Sequence, residues 1–287
     1  MKKCFLFISA IILLAACKTT QQTEPLIQPE ARASLEFDSI EASSLDQYTL
    51  HYRLKTGNPR KQDMAVEIKD WKASLNGAEL SPAAASLAFE SRAASGARFI
   101  LMPASTTEKE LALAVSLKDL PQDGDTCLAG LSMSLNCSYD GVSFLLGLAA
   151  DAEFPRIREP SLDIVSIAIV QADLVNTKFK ANVRIDNPNM FAVNVLSLGY
   201  NLYGAGTLWS SGKDECLLEI PARSSRETDF HFTMNFINMK RGLLDDIIAM
   251  RQVLYHFSGE AEVETGIEWL PSFQMAFERS GKSEVVK

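Results

Sequence analysis

Histidine is scarce in this chain: His51, His231 and His256 are all there is in 287 residues. None has a second His, Cys or acid at a metal-ligand spacing, so no metal centre is expected. His231 and His256 fall on the polar phase of their segments, and all three read as surface side chains. Positive charge is also short. Lys and Arg total 28 against 36 Asp and Glu, a formal net charge of −8. Such a balance speaks against nucleic acid or an anionic membrane surface as a partner. There is no G-x-S-x-G elbow, so a hydrolase of that class has no support. Gly281-Lys282-Ser283 imitates the end of a phosphate-binding loop, but Ala276 stands where its first glycine belongs and no useful helix follows. Gly204-Ala205-Gly206 lacks the third glycine and the helix of a dinucleotide site. These absences predict no enzyme and no cofactor.

What is present begins at the N-terminus. Lys2 and Lys3 precede an apolar run from Phe5 to Leu14, followed by Ala15-Ala16-Cys17. A run of this length falls well short of the roughly 20 residues a spanning helix needs. It has the charged, apolar and small-residue regions of a secretory signal. Leu14-Ala15-Ala16-Cys17 resembles a bacterial lipobox. That resemblance implies cleavage between Ala16 and Cys17 and a palmitate-type lipid on the Cys17 thiol. Two or three acyl chains there would hold the protein at a membrane far better than one. Loss of residues 1–16 removes Lys2 and Lys3, which takes the net charge from −8 to −10. The lipid must therefore do the anchoring. The expected location is the bacterial cell envelope, as a membrane-anchored lipoprotein of the outer membrane on its periplasmic or surface side.

Of the remaining cysteines, Cys4 leaves with the signal and Cys216 reads as a half-buried small hydrophobe. Cys127 and Cys137 are ten residues apart in an exported chain. A disulfide and two free thiols are both open readings, since spacing does not fix geometry.

Residues 17–33 (CKTTQQTEPLIQPEARA) comprise the lipidated cysteine and a polar, proline-bearing stretch that reads as a disordered tether. Its r.m.s. reach is roughly 20–25 Å. After it the pattern turns strand-like. Phe179, Ala181, Val183 and Ile185 alternate with polar neighbours, as do Leu111, Leu113, Val115 and Leu117, and Phe230, Phe232, Met234 and Phe236. A period of two puts one face on a core and the other in water. Many such runs broken by Gly, Pro and Asn predict β-sandwiches. One helix is expected, about Met239 to Val253, with Leu243, Leu244, Ile247 and Ile248 at helical spacing.

The chain resembles itself. Asn58-Pro59 follows one strand as Asn187-Pro188 follows another, and Leu75-Asn76-Gly77 matches Leu202-Tyr203-Gly204. Met102-Pro103-Ala104 matches Ile220-Pro221-Ala222, and Phe144 to Gly147 matches Phe257 to Gly259. Four matches in the same order predict tandem domains over 34–156 and 157–280, with a C-terminal tail at 281–287. The Asn-Pro pairs read as turns, Asn closing through its side chain and Pro standing where a ladder donor would be wasted.

The second unit resembles the group-two late embryogenesis abundant (LEA type 2) family, also called the water-stress and hypersensitive-response (WHy) domain. The residues that carry the likeness are Pro160 to Ile167, Asn187-Pro188-Asn189, Tyr200 to Gly204, Ile220-Pro221-Ala222, the Phe230 strand, the helix and Val253 to Gly259. The first unit resembles it more weakly. The resemblance implies two fibronectin-III-like antiparallel β-sandwich domains, the second with a side helix. It also implies a role in desiccation or osmotic stress without catalysis, exerted on an envelope protein or lipid. A periplasmic carrier of lipid or another apolar ligand, and a surface-exposed adhesin or scaffold, remain alternatives. Glu260, Glu262 and Glu264 read as the solvated face of a strand, and Trp71, Trp209 and Trp269 as packing residues rather than a binding surface.

Overall fold

The computed structural model describes residues 31–118, 124–171, 176–204, 206–235, 253–283 and 285–286. Cys17, the cleavage site, nearly all of the expected tether and all but the last residue of the helix expected over Met239 to Val253 lie outside them; Val253 itself opens a strand. Among the described residues every regular element is a strand.

The first sandwich is built from β1 (Arg32–Ser44), β2 (Gln47–Asn58), β3 (Met64–Leu75), β4 (Ala78–Glu79), β5 (Ala85–Phe89), β6 (Arg92–Ala93), β7 (Arg98–Leu101), β8 (Ser105–Ser116), β9 (Thr126–Tyr139) and β10 (Val142–Pro155). One of its sheets has the order β1-β2-β8-β5-β6, the other β10-β9-β3-β4 with β7 also on β3. The second sandwich uses β11 (Ser161–Gln171), β12 (Asn176–Asn187), β13 (Val193–Gly204), β14 (Thr207–Ile220), β15 (Ser224–Asn235), β16 (Val253–Ile267), β17 (Leu270–Ser283) and β18 (Val285–Val286). Its sheets run β15-β12-β11-β18 and β14-β13-β16-β17.

The same wiring thus occurs twice. β1-β2-β8 corresponds to β11-β12-β15, and β10-β9-β3-β7 to β17-β16-β13-β14. The registers refine the equivalences. Met64 pairs with Leu101 as Val193 pairs with Ile220, and Asn58 pairs with Ser105 as Asn187 pairs with Ser224. Met102 therefore corresponds to Pro221, one residue away from the sequence match of the two prolines. Gly77 corresponds to Gly206, not Gly204: both have positive φ, at 83° and 78°, and close the turn after the third strand. The match of Phe144 with Phe257 is wrong, because Phe144 lies on β10 and Phe257 on β16, the counterpart of β9. Alternating apolar strands resemble one another whatever their place in the sheet, so a short apolar match does not fix order.

Two further expectations change. Val285 and Val286 pair in parallel with Ile167 and Ala168, and Gly281 pairs with Tyr255, so 281–287 is not simply a tail. The first strand opens at Arg32, inside the expected tether.

Alternation explains both cores. Leu50, Tyr52 and Leu54 of β2 face Leu111, Leu113 and Val115 of β8, over Ile68 of β3 and Leu131 and Leu135 of β9, all buried. In the second sandwich Phe179, Val183 and Ile185 join Leu198, Leu202, Phe257 and Val263. Burying a side chain of this size contributes about 1.5–3 kcal/mol, and the two stacks fill two separate interiors.

Candidate functional site

Asn58 ends β2 and Asn187 ends β12, each buried at the point where the chain leaves one sheet for the other. The Asn58 Nδ2 donates to the carbonyls of Gln62 (2.7 Å), Leu101 (3.1 Å) and Met102 (3.1 Å). The Asn187 Nδ2 donates to Phe191 (2.8 Å), Ile220 (3.2 Å) and Pro221 (3.1 Å). Each Oδ1 in turn accepts a backbone N–H two residues on, from Arg60 and from Asn189, both at 3.0 Å. The asparagine is thus more than a turn former. It latches the end of one sheet to the chain just before one strand and at the end of another in the opposite sheet, and it satisfies the buried carbonyls of Leu101 and Ile220.

In the second sandwich the latch reaches further. Asn189 Nδ2 donates to Asn187 Oδ1 (3.0 Å) and to the carbonyl of Arg158 (2.8 Å), while Arg158 N donates to Asn189 Oδ1 (2.7 Å). Residues 156–160, which join the sandwiches, are therefore held through both main-chain groups of Arg158, its N–H and its C=O, by the one Asn189 side chain. From the other side, Arg156 N donates to the Asp125 carbonyl at 2.8 Å. The Asp125 carboxylate accepts from Arg158 (3.3 Å) and from Arg223. Arg158 also donates to the carbonyl of Gly124.

An aromatic plug completes the seam. Trp269, in the β16–β17 turn, stands edge-on to Tyr48 (5.7 Å between centroids) and to Phe154 (6.3 Å) of the first sandwich. Its carbonyl accepts from Ala42 N at 3.3 Å. Trp269 packs against both cores. Burial pushes the Tyr48 hydroxyl well above its ordinary range, and it donates to the Leu45 carbonyl at 2.8 Å.

Beside the plug the seam opens into a cleft of about 630 Å³, lined by Leu45 and Asp46, by Arg158 and Glu159, and by Phe273 and Gln274 among others. Leu45 and Phe273 supply apolar surface, and Asp46, Glu159 and Gln274 supply hydrogen-bonding groups. Histidine, cysteine and lysine are missing from its lining. Such a lining can hold a ligand by hydrogen bonds over an apolar base.

The residues singled out in the sequence scatter. Cys127 and Cys137 are free, buried thiols on the same strand, β9. At about 3.4 Å per residue they lie roughly 34 Å apart, and a disulfide within one strand is excluded by that distance. Burial pushes Cys137 up to about 11 and raises Cys127 too, against the lowering influence of Arg156 and Arg158. His51 lies on the outer phase of β2 and is partly covered there, with Nδ1 hydrogen-bonded to the exposed Glu110 at 2.8 Å. His231 is exposed, and His256 Nδ1 meets Ser280 Oγ at 2.9 Å. Glu260, Glu262 and Glu264 lie on the outer phase of β16, where Glu264 accepts from Asn194 at 2.9 Å. Among the described residues no group of acids, histidines or cysteines is placed to hold a metal ion. Trp71 packs on the first core, and Trp209 is buried in the second over Gly204, where any Cβ would fall inside its indole. Of the two residues that make the seam, Asp125 carries no mark in the sequence, and Asn189 stands out only as part of the Asn187-Pro188-Asn189 turn. The second Asn of Asn187-Pro188-Asn189, standing where the first unit has Arg60, was the signal for one of them.

Among the described residues no helix is long and apolar enough to cross a membrane. The family model described as Late embryogenesis abundant protein matches residues 182–273, from β12 to the start of β17. No curated protein matches the sequence. Solved structures similar to the chain include a crystal structure of a protein from Archaeoglobus fulgidus, at 14% identity over 43% of this chain and 97% of that one, with a TM-score of 0.30. A protein of Arabidopsis thaliana solved in solution is 13% identical over 46% of this chain and 86% of its own, at 0.37. A β-glucuronidase of Bacteroides uniformis is 12% identical over 88% of this chain and 32% of that enzyme, at 0.27.

Proposed function

We propose that this chain is a lipid-anchored protein of the bacterial cell envelope that acts by binding and shielding, without catalysis, under drying or osmotic stress. The observation that carries the reading is the late embryogenesis abundant match across residues 182–273 of the second sandwich. Cys17, in its lipobox-like context, supplies the anchor. A surface carrying a net charge of −10, once residues 1–16 with Lys2 and Lys3 are gone, would be held near an anionic membrane by acyl chains and not by attraction. The pinned seam supports a role for the pair as one body: Asn189, Asp125 and Trp269 fix the second sandwich on the first. The cleft beside them is the surface on which an envelope protein or lipid headgroup would be held.

Deletion of the gene is expected to lower survival of drying and of osmotic shock, and the wild-type gene is expected to restore it. Unchanged survival would remove the stress role. Cys17→Ser is expected to release an intact, folded, soluble protein. Persistent membrane attachment of that variant would remove the anchor and leave the stress role standing.

A further inference from the structure

We infer that β10 is a dimerisation edge, at which the first sandwich pairs antiparallel with β10 of a second copy of this chain. Long terminal strands of sheets expose unpaired main-chain groups, and proteins usually guard them with charge. Here β1 carries Glu36, Asp38 and Glu41, β14 carries Lys213, Glu215 and Glu219, β15 carries Arg226, Glu227 and Asp229, and β17 carries Glu278, Arg279 and Lys282. β10 is also the terminal strand of its sheet among the described residues, and its charges, Asp151 and Glu153, are confined to its last third: Gly141 to Ala150 contains none. Val142 and Leu145 stand 50% and 59% exposed. The inward phase is also uncovered: Phe144, Leu146 and Leu148 are only partly buried, whereas Phe273, Met275 and Phe277 of the corresponding β17 are buried.

The register says which groups are free. β9 and β10 form a hairpin in which Tyr139 pairs with Val142 across Asp140 and Gly141, both at positive φ. That two-residue turn makes Tyr139 and Val142 a hydrogen-bonded pair, and bonding alternates from there. The N–H and C=O groups of Ser143, Leu145, Gly147 and Ala149 therefore point away from β9. A two-fold axis at Leu146 sets Leu145 against Gly147 and Ser143 against Ala149, so every free group meets a free group. Leu146 then faces Leu146, and Phe144 faces Leu148. Asp151 falls opposite Gly141, Glu153 opposite Tyr139 and Asp140 opposite Ala152, so no two acids are directly paired and the acids gather only at the two ends of the ladder. For an acidic chain with a net charge of −8, another copy is repelled at its charged edges and is accepted along the uncharged stretch Val142 to Ala150. The inference rests on the edge alone and not on the lipid anchor.

Two differently tagged full-length copies, expressed together and extracted in detergent, are expected to co-purify. Leu145→Lys should lower the recovered partner roughly tenfold or more, by placing a cation in the new ladder, while Ser225→Lys on β15 should leave it unchanged. Both variants should keep the β-sheet circular dichroism of the parent. Leu146→Cys should give a reducible dimer in membranes treated with a mild oxidant, because the axis places the two Cα atoms at a non-bonded pair distance of about 4.5 Å. No co-purification of the wild type, or co-purification indifferent to Leu145→Lys, overturns the inference. A cross-link to a different protein, or none in a Leu146→Cys chain that folds, overturns the second copy as occupant.

Discussion

The two sandwiches share their wiring and differ in how they finish their edges. In the first, residues 76–97 make an excursion after β3 in which β5 crosses to the other sheet and pairs with β8. In the second, the chain turns at once through Gly206 into the fourteen-residue β14, and among the described residues β15 has no counterpart of β5. At the same position the first sandwich ends its third strand on buried Leu75, the second on Gly204 beneath Trp209. Opposite solutions fill the same volume, a branched side chain in one and a tryptophan over a glycine in the other. What does not vary is the asparagine latch. The difference teaches that the crossing between sheets is fixed by hydrogen-bond satisfaction, while edges and corner packing are free to drift.

The latch gives the sharpest way to break this equivalence. Asn58→Ala and Asn187→Ala each leave buried carbonyls unsatisfied, a loss of about 2–4 kcal/mol. Asn187→Ala is expected to sit at the upper end or beyond, since Asn189 and through it Arg158 lean on the same side chain. Chemical denaturation of the two variants checks the order. Equal losses would mean that the link to residues 156–160 contributes nothing.

Trp269 separates the two bodies with a smaller cost. Trp269→Ala removes the ring between Tyr48 and Phe154. Removing a buried aromatic costs about 3–5 kcal/mol, and this partly buried one about 2–3. The loss falls on the seam, so a single unfolding transition of the parent is expected to resolve into two by calorimetry. One unbroken transition in the variant would show that hydrogen bonds around Asn189 and Asp125 suffice to couple the sandwiches.

How much of this was legible in the sequence follows from the physics of each part. The all-β architecture and its two-fold repetition were readable, because a period of two in Phe179 to Ile185 and Leu111 to Leu117 admits little else. Pairing order was not: Phe144 was matched to Phe257 because alternating strands look alike, and only the ladder tells β10 from β9. Whether Cys127 and Cys137 pair stayed open in the sequence because spacing hides extension, which sets ten residues of one strand far beyond disulfide reach. The seam was invisible because it depends on residues 33 and 98 positions apart, Asp125 with Arg158 and Arg223, which have no local signature. Trp269 was read as packing, correctly, but its second core could not be foreseen.

The smallest effect distinguishes the two interiors by their response to alkali. Tyr52 lies wholly buried in the first sandwich, pushed up to about 12 by burial first and the nearby Asp151 second, and among the described residues its hydroxyl finds no hydrogen-bond partner. The second sandwich holds Tyr255, raised by burial but only partly covered. The folded state keeps the Tyr52 proton where the unfolded chain begins to lose it, near the ordinary 10.0. Unfolding then releases a proton, and stability falls as pH rises from 10 to 12, by roughly 2–3 kcal/mol for two units. Tyr52→Phe removes an unsatisfied hydroxyl at almost constant shape, so at pH 7 it should be neutral or stabilising by about 1 kcal/mol. Above pH 10 it should flatten the loss of stability of the first sandwich and leave the second unaffected. Thermal melts of Tyr52→Phe in the Trp269→Ala background, where the two transitions separate, read each sandwich in turn. A variant that melts lower than its parent at pH 7 would mean that the hydroxyl has a partner in solution.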